Sequence, residues 1–207
     1  MRLNEFFTEE TGKRAIFSFG RMNPPTIGHE KLINAVHQIA NSSNSDAFII
    51  PTKTQDKKKN PLDFQTKVKF LRAFFPEANI VDDASIRTVF EAIFWLGEQG
   101  YTDVTLVAGS DRIGTFDKMI SPDVPSMNPN VDPEKALNIE QFHVASAGNR
   151  DPDAEGTEGA SGSKAREFAL NGQQDEFVNL IAPSTGTEQQ KIALYNAVRN
   201  GLGLGEE

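Results

Sequence analysis

The chain has 207 residues, 38% hydrophobic, 24% charged and 9% aromatic, which suits one soluble globular domain with a real core. Its formal net charge of −8 argues against a general nucleic-acid coat, whose affinity rests on excess lysine and arginine, yet permits an enzyme of small anions with a locally positive site. There is no cysteine, no apolar stretch near the roughly 18 residues of a membrane span, and no apolar core in the N-terminal "MRLNEFFTEETGKR"; thiol chemistry, membrane partners and a secretory signal are set aside, and a cytoplasmic protein is expected.

In chain order, "RAIFSFG" (14–20) reads as a buried strand ending in glycine. From Gly28, "GHEKLINAVHQIA" puts Leu32, Ile33, Val36 and Ile39 on one helical face, and "SSNS" breaks the helix. "DAFIIP" (46–51) is a second strand, "PTKTQDKKKNP" a polar basic loop, and "LDFQTKVKFLRAFF" a helix that Pro76 ends. "ANIVDD" is a third short strand, and "SIRTVFEAIFWLGEQG" a helix with Ser85 as its cap and Gly97 or Gly100 as its stop. "DVTLVAG" (103–109) is the clearest strand of all, and after Asp111 the pattern loosens into the proline-rich "ISPDVPSMNPNVDPEKAL". "IEQFHVAS" (139–146) recovers strand character; a Gly- and Asp-rich loop, the short helices "KAREFALNG" and "QQDEFVNLI", the amphipathic "TEQQKIALYNAVRNG" and the tail "LGLGEE" follow.

Short strands alternating with helices imply an α/β fold: a Rossmann-like doubly wound parallel sheet, helices on both faces, with C-terminal helices appended. With no repeat and no linker, 1–207 reads as a single domain, its core about 14–182 and a C-terminal helix and tail over 183–207. Ligands of such sheets sit beyond the carboxyl ends of the strands, which directs attention to 20–28, 51–61, 82–85 and 109–115. In "FGRMNPPTIGHEKLINAV", glycine permits close backbone approach, prolines fix the path, and a helix opening at Gly28-His29 aims N–H groups at whatever lies above the sheet. A first-turn histidine can donate to an oxygen whose charge grows in a transition state. The residues alone leave this loop open between a phosphate site and a proline-rich connector with a surface histidine; His37 and His143 read as structural.

"GRMNPPTIGH" (20–29) resembles the first motif of the nucleotidylyltransferase superfamily, Gly-x-Phe-x-Pro-x-(His or Thr)-x-Gly-His, with Gly20, Pro24, Thr26, Gly28 and His29 in register and Met22 where Phe is usual. Arg21 makes it more similar to the archaeal-type nicotinamide-mononucleotide adenylyltransferases, which read Gly-Arg-Phe-x-Pro and carry Asn-Pro-Phe after the second strand, where Asn60-Pro61-Leu62 stands here. "ASGSKAR" (160–166) resembles the second motif, Ile-Ser-Ser-Thr-x-x-Arg, through Ser161, Ser163 and Arg166, with Gly162 replacing the middle serine. "VAGSDR" supplies Gly109, Asp111 and Arg112 where members carry Gly-x-Asp. The three matches keep the family order and span 14–168. "SAGNRDPDAEGTEGASGSKARE" further resembles a branch of the superfamily encoded by large tailed bacteriophages, and "MRLNEFFTEE" is similar to the leader that directs proteins into a phage prohead.

The resemblance implies transfer of a nucleoside monophosphate from ATP or CTP to a phosphorylated small-molecule acceptor, with release of pyrophosphate. Adenylyl transfer to nicotinamide mononucleotide is the leading variant, and cytidylyl transfer to a phosphorylated alcohol or sugar the alternative. Such chemistry asks for positioning and charge neutralisation rather than a covalent nucleophile. By resemblance, Thr26, His29 and Arg166 carry the catalysis: Thr26 and His29 contact the triphosphate, and Arg166 neutralises the leaving pyrophosphate. The implied nucleotide site comprises Gly20, Arg21, Met22, Gly28, Lys53, Gly109, Asp111, Arg112, Ser161, Ser163 and Lys164. Mg²⁺ bridges phosphate oxygens while retaining waters, so no dense carboxylate cage is expected.

Lys57, Lys58 and Lys59 read as a solvated run; Asp151, Asp153, Glu155 and Glu158 read as a solvated loop, with a role beside Arg166 or a metal as the alternative. Trp95 reads as core rather than as a stacking platform, which leaves the acceptor open. A non-catalytic nucleotide-binding protein packaged in a phage particle is the rival class; a synthetase-like activating enzyme is disfavoured by the absence of a Lys-Met-Ser-Lys-Ser loop. Nucleic acid is not an expected partner, and homo-oligomerisation is left open.

Overall fold

The structure, a computed structural model, describes residues 12–119, 139–148, 161–182 and 186–205. The leader-like N-terminus, the proline-rich stretch 120–137, and the acidic set Asp151, Asp153, Glu155 and Glu158 lie outside the described residues. In chain order the elements are β1 (Lys13–Gly20), α1 (Ile27–Ser43), β2 (Asp46–Pro51), α2 (Phe64–Phe74), α3 (Val89–Glu98), β3 (Tyr101–Ala108), α4 (Ser110–Met119), β4 (Gln141–Ser146), α5 (Gly162–Leu170), α6 (Gln174–Leu180) and α7 (Glu188–Gly201). The strands form one sheet in the order β2-β1-β3-β4, and every pairing is parallel.

Period-two alternation along β1 explains how the sheet is covered on both sides. Ile16 joins Ile33 and Val36 of α1, Val68 and Leu71 of α2, and Ala165, Phe177 and Leu194 of α5 to α7 in one core. Its neighbours Ala15 and Phe17 point the other way, into a second core with Phe48, Leu106 and the α3 residues Val89, Ala92 and Leu96. The fold is therefore a Rossmann-like α/β sheet with helices on both faces. No helix among the described residues is long and apolar enough to cross a membrane.

The boundaries differ from the sequence expectation in three instructive places. "ANIVDD" forms only a single parallel bridge, Ile80 against Ile49, made by Ile49 N–H to Asn79 O (2.9 Å) and Val81 N–H to Ile49 O (3.0 Å). Turns close on both sides of it: Ala78 N–H reaches Phe75 O, and Ser85 N–H and Oγ both reach the Asp83 carboxylate, so no chain is left to extend the pairing. Ser85 being engaged there, Thr88 caps α3 instead. Its hydroxyl accepts from Glu91 N–H (3.2 Å) while the Glu91 carboxylate accepts from Thr88 N–H (2.7 Å), a reciprocal capping box. Helix α1 likewise starts one residue before Gly28, with Thr26 as N-cap, and runs to Ser43, where Asn44 in the left-handed region (φ 50°) stops it.

β1 leads through α1 to β2 on one side, whereas β3 leads through α4 to β4 on the other. The switch point lies between β1 and β3, at the edge where both strands end. Behind that edge α7 crosses the 60–62 loop so closely that a Cβ on Gly201 would stand 2.1 Å from Pro61 O. Gly→Ala inside a helix ordinarily stabilises by about 1 kcal/mol. At Gly201 the sign is expected to reverse, with Gly201→Ala destabilising by on the order of 1–3 kcal/mol in urea unfolding, because backbone must move.

Candidate active site

Four helices begin at the carboxyl edge of the sheet around one cavity of about 530 Å³. Gly28 and His29 of α1, Thr88 to Phe90 of α3, Asp111 and Arg112 of α4, and Gly162 and Ser163 of α5 all line it. Each contributes the positive end of a helix dipole, so the walls favour an anion before any side-chain charge is counted. Gly20 and Gly109, just at or beyond the ends of β1 and β3, form part of its lining.

The loop after β1 sets His29. Thr26 is fully buried and caps α1: His29 N–H and Glu30 N–H both donate to its carbonyl, at 2.8 and 3.1 Å. Thr26 N–H in turn donates to His29 Nδ1 (3.0 Å), and the Thr26 hydroxyl lies 2.9 Å from the same nitrogen. A backbone N–H can only donate, so Nδ1 accepts and the neutral ring carries its proton on Nε2. Thr26 thus acts on His29, one layer beneath the cavity, and leaves the ring a donor on its far side.

Arg166, one turn into α5, donates from Nη1 to Asn23 O (2.7 Å) and from Nη2 to Ser163 Oγ (2.9 Å). Burial disfavours its charge, and the nearby Arg21 guanidinium disfavours it further, while Asp56 pulls weakly the other way; its pKa is lowered from the ordinary value. Two guanidiniums facing one cavity are an arrangement that a bound polyanion relieves. Ser161 caps α5, its hydroxyl accepting from Lys164 N–H (3.2 Å).

Of the residues singled out from the sequence, Gly20, Arg21, Met22, Gly28, His29, Gly109, Asp111, Arg112, Ser163 and Arg166 come together on the cavity. Thr26, Ser161, Lys53 and Lys164 do not line it. Lys57, Lys58 and Lys59 are exposed on a turn built by Asp56. The Lys59 N–H, then the Asn60 amide and the Lys58 N–H, hold the Asp56 carboxyl at about 2. Trp95 packs edge-on against Phe48 and does not line the cavity. Asp111 is the one carboxylate among the described lining residues, and no three His, Asp or Glu side chains converge to hold a metal among the described residues.

Sequence reading missed several residues here. Phe90 and Phe116 line the cavity, as does Lys31, one turn beyond Gly28 on α1. Lys67 of α2 is fully buried and donates from Nζ to Thr52 O, whose residue lines the cavity and whose N–H holds Gly20 O (2.9 Å). The spacing Phe64, Lys67, Val68, Leu71 places that lysine on the apolar stripe of its helix, which was a usable signal.

No family model matches the chain, and no curated protein matches it. Among solved structures it is similar to a bifunctional NMN adenylyltransferase/ADP ribose pyrophosphatase from Francisella tularensis, at 13% identity over 93% of this chain and 53% of that one, with a TM-score of 0.49. The chain spans about half the length of that protein.

Burial favours the neutral amine of Lys67 and lowers its pKa from 10.5 to about 8, against a smaller opposing pull from Asp63. Below that value folded and unfolded chains are both protonated and the folded state bears the burial penalty in full. Above it the unfolded chain holds the proton more tightly, so stability rises with pH up to the unfolded value. Relative to Lys67→Met, the wild-type unfolding free energy is expected to climb by on the order of 2–3 kcal/mol between pH 7 and pH 10.5, measured by urea denaturation.

Proposed function

We propose that the protein is a nucleotidylyltransferase, moving a nucleoside monophosphate from a nucleoside triphosphate to a phosphorylated small-molecule acceptor and releasing pyrophosphate. The observation that carries this reading is the meeting of His29 and Arg166, far apart in the chain, from the first turn of one helix and one turn into another, on one cavity that Arg21 also lines.

In this reading an acceptor phosphate oxygen attacks the α-phosphorus of the triphosphate, the new P–O bond forms, and the bond to the β-phosphate oxygen breaks. His29, its proton fixed on Nε2 by Thr26, donates to an α-phosphoryl oxygen as charge accumulates there. Arg166 and Arg21 neutralise the departing pyrophosphate, and the N–H groups at the start of α5 meet its oxygens. Mg²⁺, when bound, would supply charge neutralisation for the triphosphate, and Asp111, the one carboxylate among the described lining residues, would help to hold it.

The leading variant is adenylyl transfer from ATP to nicotinamide mononucleotide. Phe90 and Phe116 support it as aromatic residues in the cavity lining, which a pyridine ring could meet and to which Trp95 does not contribute. Cytidylyl transfer to a phosphorylated alcohol or sugar is the alternative. On the bacteriophage likeness of the stretch around Ser161, the enzyme would act in the cytoplasm of an infected host.

The test is pyrophosphate release over ATP and CTP with a panel of phosphorylated acceptors that includes nicotinamide mononucleotide. Mg²⁺-dependent release with one nucleotide is expected, with kcat lowered about 10²–10³-fold in both His29→Ala and Arg166→Ala. Tight nucleotide binding with no turnover on any acceptor identifies a non-catalytic binding protein instead.

A further inference from the structure

Asn23 joins the loop after β1 to the 60–62 loop and to Arg166 of α5. It is 2% exposed, and its amide makes both hydrogen bonds that a backbone segment offers: Nδ2 donates to Leu62 O (2.9 Å) and Oδ1 accepts from Leu62 N–H (3.0 Å). One donor and one acceptor on each side leave the amide a single orientation. Leu62 is itself a fixed point. It precedes Asp63, whose carboxylate caps α2 by accepting from Thr66 N–H, and it follows Pro61, whose carbonyl abuts Gly201 of α7.

The carbonyl of Asn23, held by this clamp, is what Arg166 Nη1 reaches at 2.7 Å. The other end of α5 is tied to α7 as well, because Arg199 Nη1 donates to Ala169 O (2.7 Å). Arg166 and its carbonyl partner are therefore both referenced to the same helix. The hydrogen bonds of the guanidinium to the Asn23 carbonyl and the Ser163 hydroxyl go to neutral oxygens, which orient it without neutralising it. Gly162 leaves the room: a Cβ there would stand 3.2 Å from Arg166 Nη1 and 3.3 Å from Asn23 O, crowding the bond between them.

We propose that Asn23 is a positioning residue for Arg166: its side-chain amide locks the 20–26 loop onto Leu62, and its own carbonyl, fixed by that lock, sets the guanidinium toward the anion the cavity takes. The role rests on the anion-binding part of the nucleotidylyl-transfer reading. It makes a specific demand on Asn23→Asp. The carboxylate keeps the acceptor for Leu62 N–H but turns an ionised oxygen against Leu62 O. Protonated, that oxygen donates again and the clamp is restored.

The readout is the affinity of the full chain for inorganic pyrophosphate, by calorimetry at pH 8 and pH 5.5, each variant compared with wild type at the same pH and melted to check folding. Arg166→Ala is expected to weaken binding about tenfold or more at both pH values. Asn23→Asp should weaken it by a similar factor at pH 8 and return to near wild type at pH 5.5. Gly162→Ala, which leaves the Leu62 clamp untouched, should weaken binding several-fold with an unchanged melting temperature. Under turnover, Asn23→Asp at pH 8 should lower kcat and leave the acceptor KM in place. Wild-type affinity in both Asn23→Asp and Gly162→Ala at pH 8, a deficit in Asn23→Asp that ignores pH, or no pyrophosphate binding by the wild type would each overturn the role. Pyrophosphate binding with no release from any triphosphate removes the transferase reading and leaves the positioning role standing.

Discussion

In a parallel sheet every strand ends at the same edge, and every following helix must begin there. Here that constraint is doubled by the divergence of β1 and β3, whose connections leave to opposite sides. No covering helix can pass directly over the gap between them, so the chain leaves a cavity where glycines stand at the strand ends and four helix N-termini surround it. The positive character of the site is a property of this backbone plan before it is a property of any side chain. That is how a chain of net charge −8 presents an anion-attracting pocket.

The side chains sharpen what the backbone provides. Arg21 and Arg166 face one space, and burial already disfavours the charge on Arg166. The protein does not relieve this by bringing a carboxylate into contact; it gives the guanidinium a carbonyl and a hydroxyl. Hydrogen bonds of that kind fix direction while leaving the field to act on a ligand, whereas a salt bridge would have spent it. His29 follows the same pattern, since Thr26 fixes its tautomer with a neutral donor. Lys67 is the extreme case, a fully buried amine whose nitrogen rests on Thr52 O beneath the cavity wall.

Much of this was legible in the sequence, because the signals were local. The apolar runs of β1 and β3 end in glycine, the helices carry clean 3.6-residue stripes, and the loops beyond the strand ends hold the residues with chemistry. The cap of α3 was legible too: Glu91 three residues after Thr88 is a capping-box pattern, and it outranks the isolated Ser85. "ANIVDD" misled because β-branched residues state a preference for extension, while a strand also needs free chain on both sides to pair, and turns remove it. Asn23 was illegible for a different reason. Its partner Leu62 is 39 positions away, and nothing in "GRMNPP" or "KNPLDF" announces that the two backbones meet.

Met22, Thr26 and Gly162 make sense together once side chains are placed. Met22 stands in the left-handed region (φ 43°) with its side chain fully buried, filling the core beneath the loop with an unbranched, adaptable group. Thr26, extended at φ −125° and ψ 172°, gives its hydroxyl and N–H to His29, so a residue too short to reach far into the cavity still governs the one that does. Gly162 removes the Cβ that would press on Arg166 and Asn23 O. Each of the three works through packing, backbone or a neighbour. The geometry of the site is thereby carried in part by contacts that no pattern of side chains along the sequence announces.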